Sequence, residues 1–133
     1  MSAANLEIVK RALDAFNGRD VDAFLALATP DFEWFPSMVT IVEGGIFRGR
    51  EGVENYFHES RDTWEKLLVL GDEFRDHGDR VLVLGRTEGA GRGSGVQADA
   101  PIGMIFDFRG SKLLRIRAYL NHGEAVRAAT QAE

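Results

Sequence analysis

The chain has 133 residues, of which 44% are hydrophobic and 28% are charged, as expected for one ordinary globular domain. Its net charge of −5 argues against a broad basic surface for nucleic acid, and the lack of cysteine excludes disulfides and thiolate zinc sites. The sequence has neither the apolar block of a signal peptide nor the length of apolar sequence that a membrane span needs. We therefore expect a single domain over 1–133, located in the cytoplasm, with no nucleic-acid or membrane partner.

Helices dominate the N-terminal half of the predicted structure. Apolar residues recur at helical spacing from Leu6 to Phe16, and Asp20 is a suitable N-cap for a second helix that continues to residue 28. The aromatic segment 31–35 has the composition of a short strand. A third helix is predicted over roughly 52–67, with its charged residues facing away from an apolar face.

The C-terminal half changes to a period of two residues, which predicts a sheet. We predict strands at 68–76, 80–88, 97–109 and 112–120, joined in part by tight hairpin turns. Asn121 caps a last helix. This order of elements predicts an α+β fold with helices gathered on one side of a mainly antiparallel sheet.

The strand at 80–88 is apolar on both faces, because Val81 and Val83 alternate with Leu82 and Leu84. One face can pack on the helices, and the other face also needs a cover. A chain of this length leaves no further element to supply that cover, so we expect a homodimer that forms through the sheet.

The glycine-rich segment 85–95, GRTEGAGRGSG, suggests a phosphate-binding loop at first sight. A dinucleotide fingerprint needs a helix directly after the glycines, and a P-loop needs Gly-Lys-Ser/Thr. Neither is present, and the sequence that follows is strand-like. We interpret the segment as a strand that runs into a glycine-rich connection, and we expect no cofactor.

Arg86 and Glu88 are the best catalytic candidates, because residues two apart on a strand point to the same face. On a concave face, Glu88 or Asp99 would act as a general base, with Arg86 and Tyr56 as polar stabilisers. The alternatives are a structural ion pair at the rim of the sheet and, for Asp99, a solvated strand end. The three histidines have no metal-ligand spacing, so we expect no metal.

Large side chains with few polar atoms are candidates for the wall of a ligand pocket. The predicted ligand-binding residues are Phe16, Trp34, Tyr56, Phe57, Trp64, Met104 and Phe106. The alternative for each is ordinary core packing.

Four segments resemble the SnoaL-like group of the nuclear transport factor 2-like superfamily: AFNGRDVDAFLALATPDFEW at 15–34, FRGREGVENYF at 47–57, GRGSG at 91–95 and KLLRIRAYLNHGEAVRAA at 112–129. The resemblance implies a cone-shaped barrel, in which a curved, mainly antiparallel sheet with helices on its concave side encloses a mostly apolar pocket. Members of the group include polyketide cyclases, isomerases and epoxide hydrolases.

Two departures from that group bear on the chemistry. Asn121 stands where cyclase relatives frequently carry an acid, and asparagine keeps the helix-capping role but cannot transfer a proton at neutral pH. The last strand also lacks the acid that epoxide-hydrolysing relatives use. Two functions therefore stay open: a cofactor-independent isomerase, cyclase or hydrolase of a small hydrophobic molecule, and a non-catalytic ligand-binding or dimerisation module.

Overall fold

The computed structural model describes residues 2–36, 46–91 and 99–130, with side chains described for 4–36, 46–62, 65–91 and 99–130. They form a curved six-stranded sheet and four helices, which confirms the predicted α+β fold. None of the helices in these ranges is long and apolar enough to cross a membrane.

The helices are α1 (Ser2–Asn17), α2 (Val21–Leu25), α3 (Gly49–Thr63) and α4 (His122–Thr130). The strands are β1 (Ala28–Phe35), β2 (Phe47–Arg48), β3 (Trp64–Asp76), β4 (Arg80–Gly91), β5 (Ala100–Arg109) and β6 (Lys112–Tyr119). Their order across the sheet is β2-β1-β6-β5-β4-β3, and every neighbouring pair is antiparallel except β1 with β6.

Two predicted helix ends are wrong, and strand pairing explains both. The helix after Asp20 ends at Leu25, because Ala28 already pairs with β6 as the first residue of β1. The predicted helix 52–67 begins earlier, at Gly49, and ends at Thr63. The residues that follow belong to β3, which pairs with β4 along its whole length and gains ladder hydrogen bonds that a longer helix would forgo.

The two faces of the sheet carry separate hydrophobic clusters. On the inner face, Val81, Val83 and Met104 pack with apolar residues of α1, α2 and α3. On the outer face, Leu82 and Leu84 pack with residues of α4. The alternation along β4 therefore fills both faces, as its sequence requires.

Helix α4 changes the argument for a dimer. Its residues Ala125 and Ala129 are buried against Leu82, Leu84 and Ile105 on the outer face. The premise that the chain has no element left to cover this face is therefore wrong. A homodimer through the sheet stays a prediction, without that premise to support it.

The start of the glycine-rich segment has a packing role. A side chain at Gly85 would collide with the carbonyl oxygen of Leu70, where β3 carries a bulge between Gly71 and Glu73. Strand β4 continues to Gly91, in agreement with the strand interpretation. Gly93 and Gly95 lie outside the described residues.

Candidate functional site

A cavity of about 280 Å³ lies between the inner face of the sheet and helices α1, α2 and α3. This volume is at the lower end of the range for small-molecule sites, roughly 300–1,000 Å³. Its wall is formed by Ala12, Leu13, Phe16, Phe24, Phe32, Trp34, Pro36, Val53, Tyr56, Phe57, Leu67, Val69, Thr87, Ala100, Ile102, Met104, Phe106, Ile116 and Leu120.

The aromatic rings around the cavity pack against one another. Phe57 lies edge-on to Phe16 and to Phe24, with ring centroids 5.5 and 5.6 Å apart. Tyr56 lies edge-on to Trp34 at 5.3 Å and is stacked on Phe16 at 6.0 Å. Such contacts hold large side chains in place by packing on one another, so the wall has a defined shape.

Six of the seven predicted ligand-binding residues line this cavity: Phe16, Trp34, Tyr56, Phe57, Met104 and Phe106. The side chain of the seventh, Trp64, lies outside the described residues. Binding of a ligand by these residues stays a prediction.

Sequence reasoning missed part of the wall, including Thr87, Ala100 and Leu120. Thr87 shares its strand face with Val81 and Val83, so its place in the wall follows from the alternation along β4 once the inner face is known. Leu120 is the last residue of a predicted strand, Ala100 lies near the start of another, and neither has distinctive neighbours.

Arg86 and Glu88 share a face, as predicted, but it is the outer face of the sheet. They alternate with Thr87, which lines the cavity, and they continue the row of Leu82 and Leu84. The Nε atom of Arg86 lies 3.6 Å from a carboxylate oxygen of Glu88. The geometry fits the structural alternative, an ion pair that faces away from the cavity.

A second acid strengthens that reading of Arg86. The carboxylate of Asp72 also pairs with the Arg86 guanidinium, and it raises the pKa of Arg86 above its ordinary value. Asp72 is exposed and Glu88 is partly exposed, so the group resembles a surface ion-pair network and not a catalytic base held in a dry site.

Asp99, the third catalytic candidate, is exposed and does not line the cavity. Its carboxylate accepts a hydrogen bond of 3.3 Å from the Gly89 backbone N–H, which ties the start of β5 to β4. The structure therefore brings none of the predicted acids to the cavity wall. The described residues also contain no group of side chains that could hold a metal ion.

Tyr56 is the one titratable side chain in the cavity wall as far as the structure describes it. Burial raises the pKa of its phenol, and the nearby Ser60, Trp34 and Arg19 offset part of that rise. The hydroxyl therefore stays protonated at neutral pH, as a hydrogen-bond donor. The indole N–H of Trp34 is buried and does not reach hydrogen-bond geometry with any described acceptor.

Asn121 performs the capping role expected of it. Its side-chain oxygen accepts a hydrogen bond of 3.1 Å from the backbone N–H of Glu124, in the first turn of α4. Next to it, the His122 Nε2 atom lies 2.8 Å from the Gly85 carbonyl oxygen on the sheet. Both contacts serve the attachment of α4, and neither residue lines the cavity.

Comparison with known proteins places the chain in a family. The profile of the SnoaL-like domain matches residues 9–116, which is most of the chain. No curated protein sequence matches it.

Solved structures share its fold. A nuclear transport factor 2-like protein of unknown function from Burkholderia pseudomallei is 23% identical, with a TM-score of 0.78 over 96% of this chain and 98% of that one. A protein from Jannaschia sp. CCS1, provisionally assigned as a SnoaL-like polyketide cyclase, is 21% identical, with a TM-score of 0.77 over 99% and 95%. TerC, crystallised with polyporic acid, is 23% identical, with a TM-score of 0.77 over 93% and 96%. At these identities the likeness shows the common fold.

Proposed function

Because the chain belongs to the SnoaL-like family, we propose that its cavity binds one small, predominantly apolar molecule. The composition of the wall carries the proposal. Every lining side chain is uncharged, and only Trp34, Tyr56 and Thr87 bear conventional hydrogen-bonding groups. A ligand would gain about 25 cal/mol for each Å² of apolar surface that it removes from water here.

The polar atoms in the wall would orient such a molecule. The protonated Tyr56 hydroxyl can donate to an oxygen of the ligand, whereas Thr87 already donates to the Ala100 carbonyl oxygen at 3.4 Å. An apolar wall with few polar groups is typical of small-molecule sites. TerC, which has the same fold, was co-crystallised with the small molecule polyporic acid, and this supports the proposal by analogy.

A cyclase-like or isomerase-like activity is the second candidate, favoured by the position of Tyr56. A protonated phenol in an apolar site can act as a general acid or polarise a carbonyl group. Such a reaction needs a base as well, and the described wall offers no carboxylate or histidine. Ligand binding is therefore the function that the geometry supports best.

The test of binding uses N-phenyl-1-naphthylamine, a neutral aromatic probe whose fluorescence rises in apolar surroundings. Ala100 is exposed and lines the cavity, so Ala100→Trp places a large ring there with little effect on the core. The matched control is Ser111→Trp, because Ser111 lies in the exposed turn between β5 and β6. We expect saturable binding with one site per chain, weakened about tenfold or more by Ala100→Trp, a loss of about 1.4 kcal/mol.

The control variant should bind the probe as the wild type does. Equal binding by Ala100→Trp and wild-type protein would place the probe elsewhere and contradict the assignment of the site. Absence of saturable binding by folded wild-type protein would contradict the function itself.

A further inference from the structure

Arg19, in the short connection between α1 and α2, has an unusual backbone. Its φ of 57° makes it the one residue other than glycine with a positive φ among those described. Arginine gains nothing locally from this left-handed conformation, which asparagine and glycine adopt more readily. Such a conformation persists where contacts of the side chain hold it in place.

The contacts of Arg19 lead to the cavity. Its guanidinium lies over the ring of Phe16, 4.9 Å from the centroid. It donates to the carbonyl oxygens of Phe16 and Leu67, both at 3.3 Å. The charge also acts on Tyr56, whose pKa it lowers. Phe16, Leu67 and Tyr56 all line the cavity, so Arg19 stands directly behind one side of its wall.

The positive charge of Arg19 has no anionic partner within the described residues. The exposed guanidiniums of Arg48, Arg86 and Arg109 each pair with a carboxylate, whereas the partly buried one of Arg19 bonds only to neutral carbonyl oxygens. Burial lowers the pKa of Arg19, and the neighbouring cation Arg61 lowers it further. A hydrogen bond to an anion is stronger than one to a neutral carbonyl oxygen, so an anion at this position would be favoured.

We infer that the molecule held in the cavity carries an anionic oxygen, a carboxylate, a sulfonate or an acidic phenol, which Arg19 attracts and to which Tyr56 donates. The inference rests on the proposed function, because the cavity must first hold the apolar body of that molecule. The apolar wall then contributes affinity, and Arg19 selects acidic ligands over neutral ones of the same shape.

Arg19 also has a structural role, which the experiment must separate from the effect of its charge on ligand binding. Strand β3 is an edge strand of the sheet, and Asn17 forms hydrogen bonds with it beside Arg19. The Asn17 amide nitrogen donates to the Val69 carbonyl oxygen, its amide oxygen accepts from the Val69 N–H, and both bonds measure 2.9 Å. Asn17→Ala therefore disturbs the same edge without removing a charge, which makes it the matched control.

The experiment compares two probes that differ by one sulfonate, 8-anilinonaphthalene-1-sulfonate and neutral N-phenyl-1-naphthylamine. The measured quantity is the ratio of their dissociation constants. We expect Arg19→Gln to shift this ratio against the sulfonate by about tenfold or more, because it removes the positive charge that stands behind the wall. Asn17→Ala should leave the ratio unchanged, and Arg19→Lys should retain most of the preference, since it keeps the charge.

An unchanged ratio in Arg19→Gln, with the neutral probe still bound, would overturn the inference and leave the proposed function standing. An equal shift in Asn17→Ala would also overturn it, because the edge of the sheet and not the charge would then set the preference. Failure of both probes to bind wild-type protein would overturn both proposals. If Arg19→Gln does not fold, the two dissociation constants of the wild-type protein are measured at increasing salt concentration. Added salt must weaken binding of the sulfonate probe selectively, because it screens the charge of Arg19. Equal weakening of the binding of both probes would contradict the inference.

Discussion

Gly103 on β5 and Ala125 on α4 pack so closely that a methyl group on Gly103 would overlap the Ala125 Cβ. Ala125 is fully buried there. We predict that Gly103→Ala lowers the free energy of unfolding by about 1–3 kcal/mol, the usual cost of overpacking a core. Urea unfolding followed by circular dichroism measures the loss.

A double variant controls for the intrinsic effects of each substitution. Ala125→Gly loses helix propensity and the packing of one buried methyl group, but together with Gly103→Ala it restores the space that α4 needs. The double variant should therefore lose less stability than the sum of the two single variants. Strict additivity would show that α4 does not rest on Gly103.

A buried carboxylate on the outer face is predicted to be a major source of stability. Asp107 accepts hydrogen bonds from Arg115 Nε and Arg117 Nη2, both at 3.1 Å, and pairs with Arg80 Nε at 3.4 Å. Asp107→Ala should lower the free energy of unfolding by about 3–5 kcal/mol, because Arg115 and Arg117 then lose the buried carboxylate that they share.

The matched control for Asp107 is Asp31→Ala, which removes an exposed pair with Arg109. That pair is solvated on both sides, so its loss should change the stability little. Similar losses in both variants, measured by urea unfolding, would argue that burial of the Asp107 network is unimportant.

The raised pKa of Tyr56 makes a prediction about alkaline pH. The neutral phenol is favoured in the folded protein, so its contribution to stability is present below the unfolded pKa of about 10 and is lost as the pH rises above it. The chain has two tyrosines, and near-ultraviolet phenolate absorbance should show Tyr56 ionising at a higher pH than free tyrosine.

Tyr56→Phe identifies that transition. It should remove the late phase of the phenolate titration and reduce the alkaline loss of stability. A late phase that persists in the variant would show that Tyr56 is not its source.

The sequence does not determine which face of β4 carries Arg86 and Glu88. Alternation correctly predicted that they share a face, but both faces of β4 carry valine or leucine, so periodicity could not tell inner from outer. The choice depends on which helices cover which face. Helix α4 meets the sheet mainly through small residues, Ala125 and Ala129, and its apolar pattern is therefore weak.

The boundary at Trp64 was missed for a related reason. The apolar spacing of α3 continues through Leu67 in the sequence, and local periodicity therefore extends the helix. Pairing of β3 with β4 over residues far apart in the chain determines the actual end. The aromatic wall was easier to predict, because large apolar residues on α1, α3, β1 and β5 all face the same interior.

The ε-methyl group of Met104 gives the most direct test that the cavity binds a small apolar molecule. Met104 is buried and lines the cavity, and the chain has only three methionines, so its labelled methyl signal is readily assigned by NMR. On titration with N-phenyl-1-naphthylamine, we predict a saturable shift of this signal and nuclear Overhauser effects to the rings of the probe. An unperturbed Met104 methyl signal at concentrations that saturate the fluorescence would show that the probe does not bind in the cavity.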